Sequence, residues 1–452
     1  METNLIVKEL LFWGVWILIP LVWEIAVGFF SAVAVLVKYF SKKDNKADFR
    51  AYVTILIPVF NSEKTLESCL NSVYFQDYPK EFLEVFVIDN GSVDNSYEVF
   101  SKFQENHPEL RMWWYRTEQG KSKALNKGIF GSNGKYIINI DSDGRLEKHA
   151  ISNIVSKFES REDIACMTGV VLIDPELIEK TKGRVLKATR VCELMEYTES
   201  FLVGRNFQSM MDSMYTLAGA FSCFRKDTLL KTQMYNSETL GEDTHMTFQM
   251  KSSSYGKVAL CENAFFYVEP IESLDRLYIQ RQRWQRGELE VASLFSELHL
   301  GGVVDFIRKP TMRKLVSDHT LSFPRLVWIF AMIYMYFIDY PLGLLVGANL
   351  LLYSAYVFNS FIYLIVSKLY LKNEKNTKKY ISSKWYYCFI LPFYRFVVFW
   401  MRMAGIINSL KTESAWKTKG FKEEYITIKR SFQEDVKSKM PFWGKVAKWV
   451  NK

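Results

Sequence analysis

Four long apolar runs constrain this chain more than any other feature of its sequence. They cover residues 10–37, 321–346, 350–366 and 386–407, and the first is interrupted only by Glu24. A membrane-spanning helix needs roughly 20 consecutive apolar residues. We therefore expect a transmembrane helix in residues 1–40, a globular domain in residues 41–320, and transmembrane and interfacial helices in residues 321–410, followed by a tail over residues 411–452.

Basic residues predict the orientation of these segments. The leader before the first apolar run carries only Lys8, whereas a cluster of cations follows the run: Lys38, Lys42, Lys43, Lys46 and Arg50. By the positive-inside rule, the globular domain lies in the cytoplasm and the leader outside. This arrangement predicts a multi-pass protein of the plasma membrane. Residues 368–384, which are rich in lysine, are also expected inside.

The last apolar run conflicts with that orientation, because a fourth crossing would place the basic tail outside. We therefore predict that residues 386–407 form an interfacial or re-entrant helix broken at Pro392, with Arg395 and Arg402 at the water side. In the tail, apolar residues recur at helical spacing between lysines, over residues 442–450. This pattern predicts a helix on an anionic membrane surface, with docking to another protein as the alternative.

Charge and cysteine content exclude some partners. The net charge of +9 is spread along the membrane-flanking segments. We therefore expect membrane lipid, and no nucleic acid, as a partner. The six cysteines are scattered without Cys-x-x-Cys spacing, which is typical of reduced thiols and not of a zinc site or a disulfide framework.

A strand that ends in two acidic residues is the strongest local signal for function. Residues 136–140 have the composition of a buried strand, and Asp141, Asp143 and Gly144 follow. Open α/β sheets bind ligands at the carboxyl ends of their strands, and Gly144 allows a sharp turn there. Two carboxylates at such a place suit Mg²⁺ or Mn²⁺ that holds a diphosphate. The alternative is an ordinary capped strand end, since Asp and Gly are common turn residues.

Other strands are predicted to end at the same edge. Residues 53–57 end at Pro58, residues 83–88 end at Asp89, and residues 112–115 supply a third strand. Helical patterns lie between them, behind the expected caps Asn61, Ser62 and Asp94. Alternating strands and helices predict an α/β fold with a mostly parallel sheet, so these polar strand ends share one crevice.

Gly120 introduces a helix that begins with two cations, Lys121 and Lys123. A helix N-terminus and a lysine both favour a diphosphate. A solvated helix face is the alternative explanation for both lysines.

Six short motifs occur in an order that resembles a known family. They are Ile57-Pro-Val-Phe-Asn61, Val87-Ile-Asp89-Asn-Gly-Ser92, Gly120-Lys-Ser-Lys-Ala124, Asp141-Ser-Asp143, Gly241-Glu-Asp243 and Gln280-Arg-Gln-Arg283-Trp284. The chain resembles the membrane-embedded inverting glycosyltransferases of family 2, which include the synthases of cellulose, hyaluronan, chitin and poly-N-acetylglucosamine. The motifs cover residues 50–300, and the resemblance implies a GT-A nucleotide-sugar-binding domain.

The resemblance also implies roles for individual residues. Asp243, with Glu242 beside it, matches the catalytic base, and Asp143 with Asp141 matches the metal site. The implied donor-binding residues are Pro58, Asn61, Glu63, Asp89, Asn90, Lys123, Asp141, Gln280 and Arg283. Trp284, Gly219 and Ala220 match the acceptor side. Many relatives carry Asp where this chain has Asn90, which leaves the identity of the nucleotide base open. Residues 216–221 follow the polymer synthases only loosely, which leaves the acceptor open.

Elementary chemistry is consistent with these roles. Inverting transfer needs a carboxylate that takes the acceptor proton, while a metal and cations neutralise the leaving diphosphate. Trp284 can stack on a sugar ring, although a tryptophan in an apolar helix is often a core residue. Glu242 and Asp243 can equally be surface acids that cap the next helix.

These observations predict a membrane-bound enzyme that transfers sugar from a nucleotide sugar, with a UDP-sugar as the expected donor. We expect repeated addition that builds or extends a cell-surface polysaccharide or glycan, with a homo-oligomer or an accessory export protein as a partner. Transfer of one sugar to a lipid or membrane-protein acceptor is the alternative within enzymes. A non-catalytic nucleotide-sugar-binding scaffold of a synthase complex is the alternative outside them.

Overall fold

The computed structural model describes residues 17, 20–41, 50–236, 239–253, 255–299, 322–409, 420 and 426. The leader before residue 17 and the predicted tail helix at residues 442–450 lie outside the described residues.

One mixed sheet of eight strands forms the centre of the α/β domain, in the order β3-β2-β1-β4-β7-β6-β8-β5. The strands are β1 Val53–Val59, β2 Leu83–Asp89, β3 Arg111–Arg116, β4 Tyr136–Ile140, β5 Gly144–Leu146, β6 Ile164–Ile173, β7 Phe221–Arg225 and β8 Lys257–Val268. Strands β3, β2, β1 and β4 are parallel, as are β6 and β8. Strand β7 is antiparallel to both β4 and β6, and β5 is antiparallel to β8.

Helices connect and flank these strands. In the α/β domain they are α2 Leu66–Tyr74, α3 Ser96–Asn106, α4 Lys121–Gly131, α5 Ala150–Ser160, α6 Pro175–Glu179, α7 Arg184–Tyr197, α8 Arg205–Met210, α9 Lys226–Leu229, α10 Glu242–Ser252 and α11 Leu274–His299. A π-helical turn, Thr198–Gly204, joins α7 to α8. The apolar helices are α1 Val27–Ser41, which a π-helical turn precedes, α12 Ser322–Phe337, α13 Leu342–Tyr370 and α15 Leu391–Ser409, and α14 is Lys375–Ser383.

The predicted parallel strands β1 to β4 are confirmed, with small differences at their ends. Strand β1 continues through Pro58 to Val59. Pairing between β1 and β4 stops at Leu56, so the sheet tolerates a residue without an N–H at this position. Helix α2 begins at Leu66, later than the predicted cap; the carbonyl of Ser62 accepts hydrogen bonds from the first backbone N–H groups there.

The core is formed by strands whose residues are buried on both faces. Every residue of β1, β2, β4 and β6 is buried. Helix α2 adds an apolar stripe at helical spacing, formed by Leu66, Cys69, Leu70 and Val73. Each such side chain contributes roughly 1.5–3 kcal/mol when fully buried, which is why apolar strands surrounded by helices hold the polar strand ends in fixed positions.

Two of the apolar helices are long enough to cross a membrane, Glu24–Ser41 and Leu342–Tyr370, and Arg325–Phe337 is shorter. The chain divides differently from the predicted runs 321–346 and 350–366. The break falls between α12 and α13, where Asp339 has a φ of 57° and Pro341 precedes α13. A proline at a helix start removes no hydrogen bond, whereas one inside a helix does, so the boundary follows Pro341.

Polar contacts fix these helices to one another. Tyr370 donates a 3.1 Å hydrogen bond to the carbonyl of Val35. Glu24 accepts from the Tyr356 hydroxyl at 2.5 Å and forms an ion pair with Arg325. The single charge in the first apolar run is therefore paired, as buried charges must be in an apolar environment.

The last apolar run forms a 3₁₀ turn, Trp385–Phe389, and then α15. The break lies just before Pro392, as predicted. Arg395 pairs with Glu199, and Arg402 donates a 2.7 Å hydrogen bond to Gln285. Their expected position at the water side stays a prediction. Helix α15 packs along α11, so both arginines face protein partners.

Candidate active site

Polar side chains gather where the parallel strands end. Asp89 ends β2, Asp141 and Asp143 follow β4, and residues 60–61 follow β1. Since these strands are parallel neighbours, their ends meet at one edge of the sheet. The predicted crevice is therefore present.

Hydrogen bonds fix the loops at this edge. Asn61 has a left-handed φ of 52°, and its side-chain oxygen accepts from the Val93 N–H at 2.9 Å. Asparagine tolerates this conformation better than most residues. Asp89 accepts from the Ser92 N–H at 2.8 Å, and Glu63 accepts from Asn95 Nδ2 at 3.1 Å. These residues, which are predicted to bind the sugar donor, therefore lie in two loops that hydrogen bonds hold together.

Asn90 connects this loop pair to the start of α4. Its side-chain oxygen accepts a hydrogen bond from the N–H of Gly120, which has a φ of 141°. Only glycine adopts this conformation without strain. The contact directs the N-terminus of α4, with its exposed N–H groups, toward the crevice, where it suits an anion.

The two lysines of α4 face different directions. Lys121 Nζ lies 2.5 Å from Asp141 Oδ1 and 3.3 Å from the carbonyl of Gly219. Lys123 Nζ lies 2.7 Å from Glu118, outside this cluster. The sequence analysis selected Lys123 for the diphosphate, but it is Lys121 that the structure places beside the acidic pair.

Gly219 joins the predicted metal end of the crevice to the predicted base. Its carbonyl accepts from Lys121, and its N–H donates to Asp243 Oδ2 at 3.2 Å. A Cβ at this position would lie 3.4 Å from the same Asp243 oxygen, so a side chain here would crowd the carboxylate. The carbonyl of Ala220 accepts from the Asp141 N–H at 3.2 Å. Gly219 and Ala220, the predicted acceptor-side pair, therefore lie between Asp141 and Asp243 in this hydrogen-bond network.

Crowded carboxylates shift the protonation of the cluster. Burial, followed by repulsion from Asp141, raises the pKa of Asp143 to about 6, although this side chain still contacts solvent. Burial also raises the pKa of Asp243 and of Glu242. Burial alone would lower the pKa of Lys121, but the charges of Asp141 and Glu242 raise it. The crevice thus carries excess negative charge with one fixed cation.

The donor set fits a small hard cation that a substrate helps to hold. Among the described residues, no group of three or more His, Cys, Asp or Glu side chains is placed to hold a metal ion. Asp141 and Asp143 supply two carboxylates, and Mg²⁺ commonly takes one or two carboxylates together with substrate phosphates. Such a cation would add positive charge beside Asp141 and Asp143, whose mutual repulsion contributes to the raised pKa of Asp143.

An aromatic cluster contains Trp284, the residue predicted to contact the acceptor sugar. Trp284 is 39% exposed, and its ring centroid lies 6.2 Å from that of Tyr197 and 6.1 Å from that of Phe201. The guanidinium of Arg281 lies 4.5 Å from the Trp284 ring centroid and forms a 2.5 Å ion pair with Glu196. The Trp284 ring therefore lies against Tyr197, Phe201 and Arg281 while part of it remains exposed, unlike the ring of a core tryptophan.

The remaining residues of this motif are placed less simply. Arg283 is exposed, whereas Arg281 is buried. The side-chain oxygen of Gln280 is buried and has no hydrogen-bond partner among the described residues. Arg281 and Phe201 were not predicted as site residues. The motif contains both Arg281 and Arg283, but the sequence does not show which of the two is buried.

Comparison with known proteins agrees with this geometry. The model of Glycosyl transferase family 2 matches residues 54–228. These residues form a glycosyl transferase family 2 domain. The match confirms the resemblance drawn from the motifs, and it contains the strand ends, α4 and Gly219.

The curated relatives are 24% identical to this chain over about half of its length. The poly-β-1,6-N-acetyl-D-glucosamine synthase of Staphylococcus epidermidis is 24% identical over 241 residues, which are 53% of this chain and 55% of the synthase. The synthase of the same name from Staphylococcus aureus strain COL is 24% identical over 252 residues, covering 55% and 58%. The chain thus spans about half the length of these curated relatives.

A solved structure supports the fold. A mannosyltransferase from Pyrobaculum calidifontis, in complex with GDP-mannose and Mn²⁺, has a TM-score of 0.55 at 17% identity, covering 78% of this chain and 97% of the mannosyltransferase. The α/β domain therefore has the GT-A fold.

A buried carboxylic acid on α7 gives a prediction about pH. Glu193 is 1% exposed and accepts a 3.2 Å hydrogen bond from the Ile271 N–H, and burial raises its pKa to about 7. The stability contributed by a group with a raised folded-state pKa is present below its unfolded value and is lost as pH rises through 7. Glu193→Gln should therefore melt about 3 °C higher than wild type at pH 8.5 and at the same temperature at pH 5. Differential scanning fluorimetry in lipid nanodiscs measures this, and an equal shift at both pH values would contradict it.

Proposed function

We propose that this chain is a membrane-bound inverting glycosyltransferase that takes a sugar from a UDP-sugar and adds it repeatedly to a growing cell-surface polysaccharide. The observation that carries the proposal is the path from Asp141 through Lys121 and Gly219 to Asp243. It connects the predicted diphosphate-binding end to the predicted base through the carbonyl and the N–H of one residue, Gly219. In sugar transfer, the base and the groups that bind the diphosphate act on the two sides of one reacting carbon, so they must lie close together.

Each side chain has a distinct task in this proposal. Asp243 accepts the proton of the acceptor hydroxyl as that oxygen attacks the anomeric carbon, and the bond to the diphosphate breaks on the opposite face. Lys121 and the N-terminus of α4 bind the departing diphosphate. Asp141 and Asp143 would hold Mg²⁺ or Mn²⁺, which neutralises diphosphate charge when bound. Asp89 and Asn90 lie in the loops that would contact the nucleotide base.

The membrane helices complete the proposal. Two helices long and apolar enough to span a membrane support a position in the plasma membrane, and the cations after the first one favour a cytoplasmic catalytic domain. The poly-N-acetylglucosamine synthases among the relatives favour a polysaccharide product. Transfer of one sugar to a lipid or membrane-protein acceptor is the competing function, favoured by the loose match of residues 216–221 to polymer synthases.

A donor screen tests the proposed function. Purified full-length protein in lipid nanodiscs is incubated with Mn²⁺ and each of a panel of UDP- and GDP-sugars, and release of the nucleoside diphosphate is followed. We expect release from a UDP-sugar, at a rate that falls to background when EDTA is added. Release from none of the donors, by protein that is folded and carries membrane lipid, would overturn the proposal.

Trp284→Ala separates repeated addition from single addition. Loss of the ring removes the stacking surface for the acceptor sugar while Asp243 and Asp143 remain, and such contacts are worth about 1 kcal/mol or more. Product length should therefore fall several-fold while donor hydrolysis persists. Trp113→Ala is the control, because Trp113 is 40% exposed but lies on β3. Gel analysis of the product measures length, and unchanged length would contradict repeated addition.

A further inference from the structure

Arg205 is a buried cation without a direct hydrogen bond to an anion among the described residues, and Asp243 and Glu288 act on it only as nearby charges. The residue is 7% exposed, and its Nη1 has no hydrogen-bond partner in the described part of the chain. The ring of Phe201 packs against it there, 4.4 Å from the guanidinium carbon to the centroid. Leaving a charged donor buried and unpaired costs several kcal/mol, so such a group points to a ligand that completes it.

Arg205 is close to the aromatic residues of the predicted acceptor side and interacts electrostatically with Asp243. Phe201 lies between it and Trp284, whose ring centroid is 6.1 Å from that of Phe201. Burial lowers the pKa of Arg205, and the charge of Asp243 partly opposes that effect. Lys121, by contrast, interacts with Asp141 and Gly219. Arg205 therefore faces the acceptor side of the base and not the diphosphate side.

The local backbone holds Arg205 in this position. It follows the π-helical turn that carries Phe201, and π-helical turns are frequent at functional sites. The next residue, Asn206, is fully buried and accepts a 2.6 Å hydrogen bond from Lys38 at the end of α1. Lys38 also pairs with Glu262 at 3.1 Å. The start of α8 is thus fixed to the membrane helix, which limits how far Arg205 can move to find a partner.

We propose that Arg205 binds an anionic group of the acceptor while the acceptor sugar ring lies on Trp284 and Phe201. The guanidinium is a planar fork that pairs with two oxygens of one carboxylate or phosphate. The anion comes from either of two sources, the carboxylate of an acidic sugar or the phosphate of a lipid-linked sugar. The inference rests on the proposed function, because it takes Asp243 as the base.

Direct binding tests the subsite without requiring turnover. Full-length wild type in lipid nanodiscs is titrated, without donor, with three probes: chitobiose, a disaccharide that ends in glucuronate, and a disaccharide linked through phosphate to a short lipid. We expect one anionic probe to bind at least about 10-fold more tightly than chitobiose, which one charged hydrogen-bonded pair can provide. The preferred probe identifies the source of the anion.

Variants connect that preference to Arg205. Arg205→Met should lose the roughly 10-fold preference, and Arg205→Lys should retain part of it because the charge remains. Arg190→Met is the control: Arg190 lies on α7 and donates to the Ile271 carbonyl at 2.8 Å, so its loss should leave the preference intact. Equal affinity of wild type for all three probes would overturn the subsite, as would a preference that survives in Arg205→Met. If Arg205→Met does not fold, the wild-type and Arg205→Lys titrations decide the matter. Diphosphate release by wild type separately tests the proposed function.

Discussion

Asp243→Asn should transfer sugar about 10²–10⁴-fold more slowly than wild type while binding donor with unchanged affinity. The reason is that the carboxylate acts on the acceptor proton. Gly219 lies between this carboxylate and the end of the crevice that is predicted to bind the diphosphate. Asparagine keeps the shape and can still accept the 2.8 Å hydrogen bond from the Thr244 N–H. Rates of transfer and donor affinity by titration calorimetry measure the two quantities.

Asp227→Asn is the matched control for that variant. Asp227 accepts a 2.8 Å hydrogen bond from the Thr228 N–H, just as Asp243 does from its own neighbour, but it lies on α9 away from the crevice. Its transfer rate should match that of wild type. Wild-type-like transfer by Asp243→Asn would remove Asp243 as the base.

The pH profile gives the same assignment an independent test. Burial raises the pKa of Asp243, and a base must be unprotonated to accept a proton. The rate of wild type should therefore fall on the acidic side at a pH above the ordinary aspartate range. Asp243→Asn should lose that acidic limb from its residual activity.

The sequence predicted the central strands well because their signal is short and local. Strands β1, β2 and β4 are buried on both faces, so each appears as a continuous apolar run that stops at a polar residue. Their parallel pairing follows from the helices between them. Strand β7 was not predicted, since its antiparallel insertion between β4 and β6 depends on contacts between residues 54 to 89 positions apart.

Helix phase was the main quantity that the sequence did not contain. Lys121 and Lys123 are two residues apart and therefore lie about 200° apart around α4, so only one can face the crevice. The same holds for Arg281 and Arg283 on α11, of which Arg281 is buried. In both pairs the motif identified the right stretch, but the inward residue is chosen by packing against Asp141 in one case and Glu196 in the other.

Arg205 shows a different limit of prediction from sequence. It stands in a segment without any of the six motifs, and its sequence neighbours suggest an ordinary polar helix. Its importance comes from burial and from the lack of a hydrogen-bond partner for Nη1 among the described residues, and both are properties of the folded chain.

Asp143→Asn should lower the transfer rate by about 10³-fold and leave the fold intact, because neutralising diphosphate charge is worth several kcal/mol in the transition state. The side chain follows β4 at an exposed position, so asparagine removes no core packing. Isothermal titration of Mn²⁺ in the presence of UDP should show weakened metal binding, which separates loss of the metal from loss of the base in Asp243→Asn.

Asp77→Asn is the control for Asp143→Asn. Asp77 is a carboxylate of the same domain that accepts from the Ser152 hydroxyl at 2.8 Å, outside the crevice. This variant should bind Mn²⁺ with UDP as wild type does. If Asp143→Asn also binds Mn²⁺ and transfers sugar at the wild-type rate, the two carboxylates after β4 do not hold the metal. In that case the negative charge of the crevice would serve only to position Lys121, whose Nζ already lies 2.5 Å from Asp141, and diphosphate departure would depend on this lysine and the start of α4 alone.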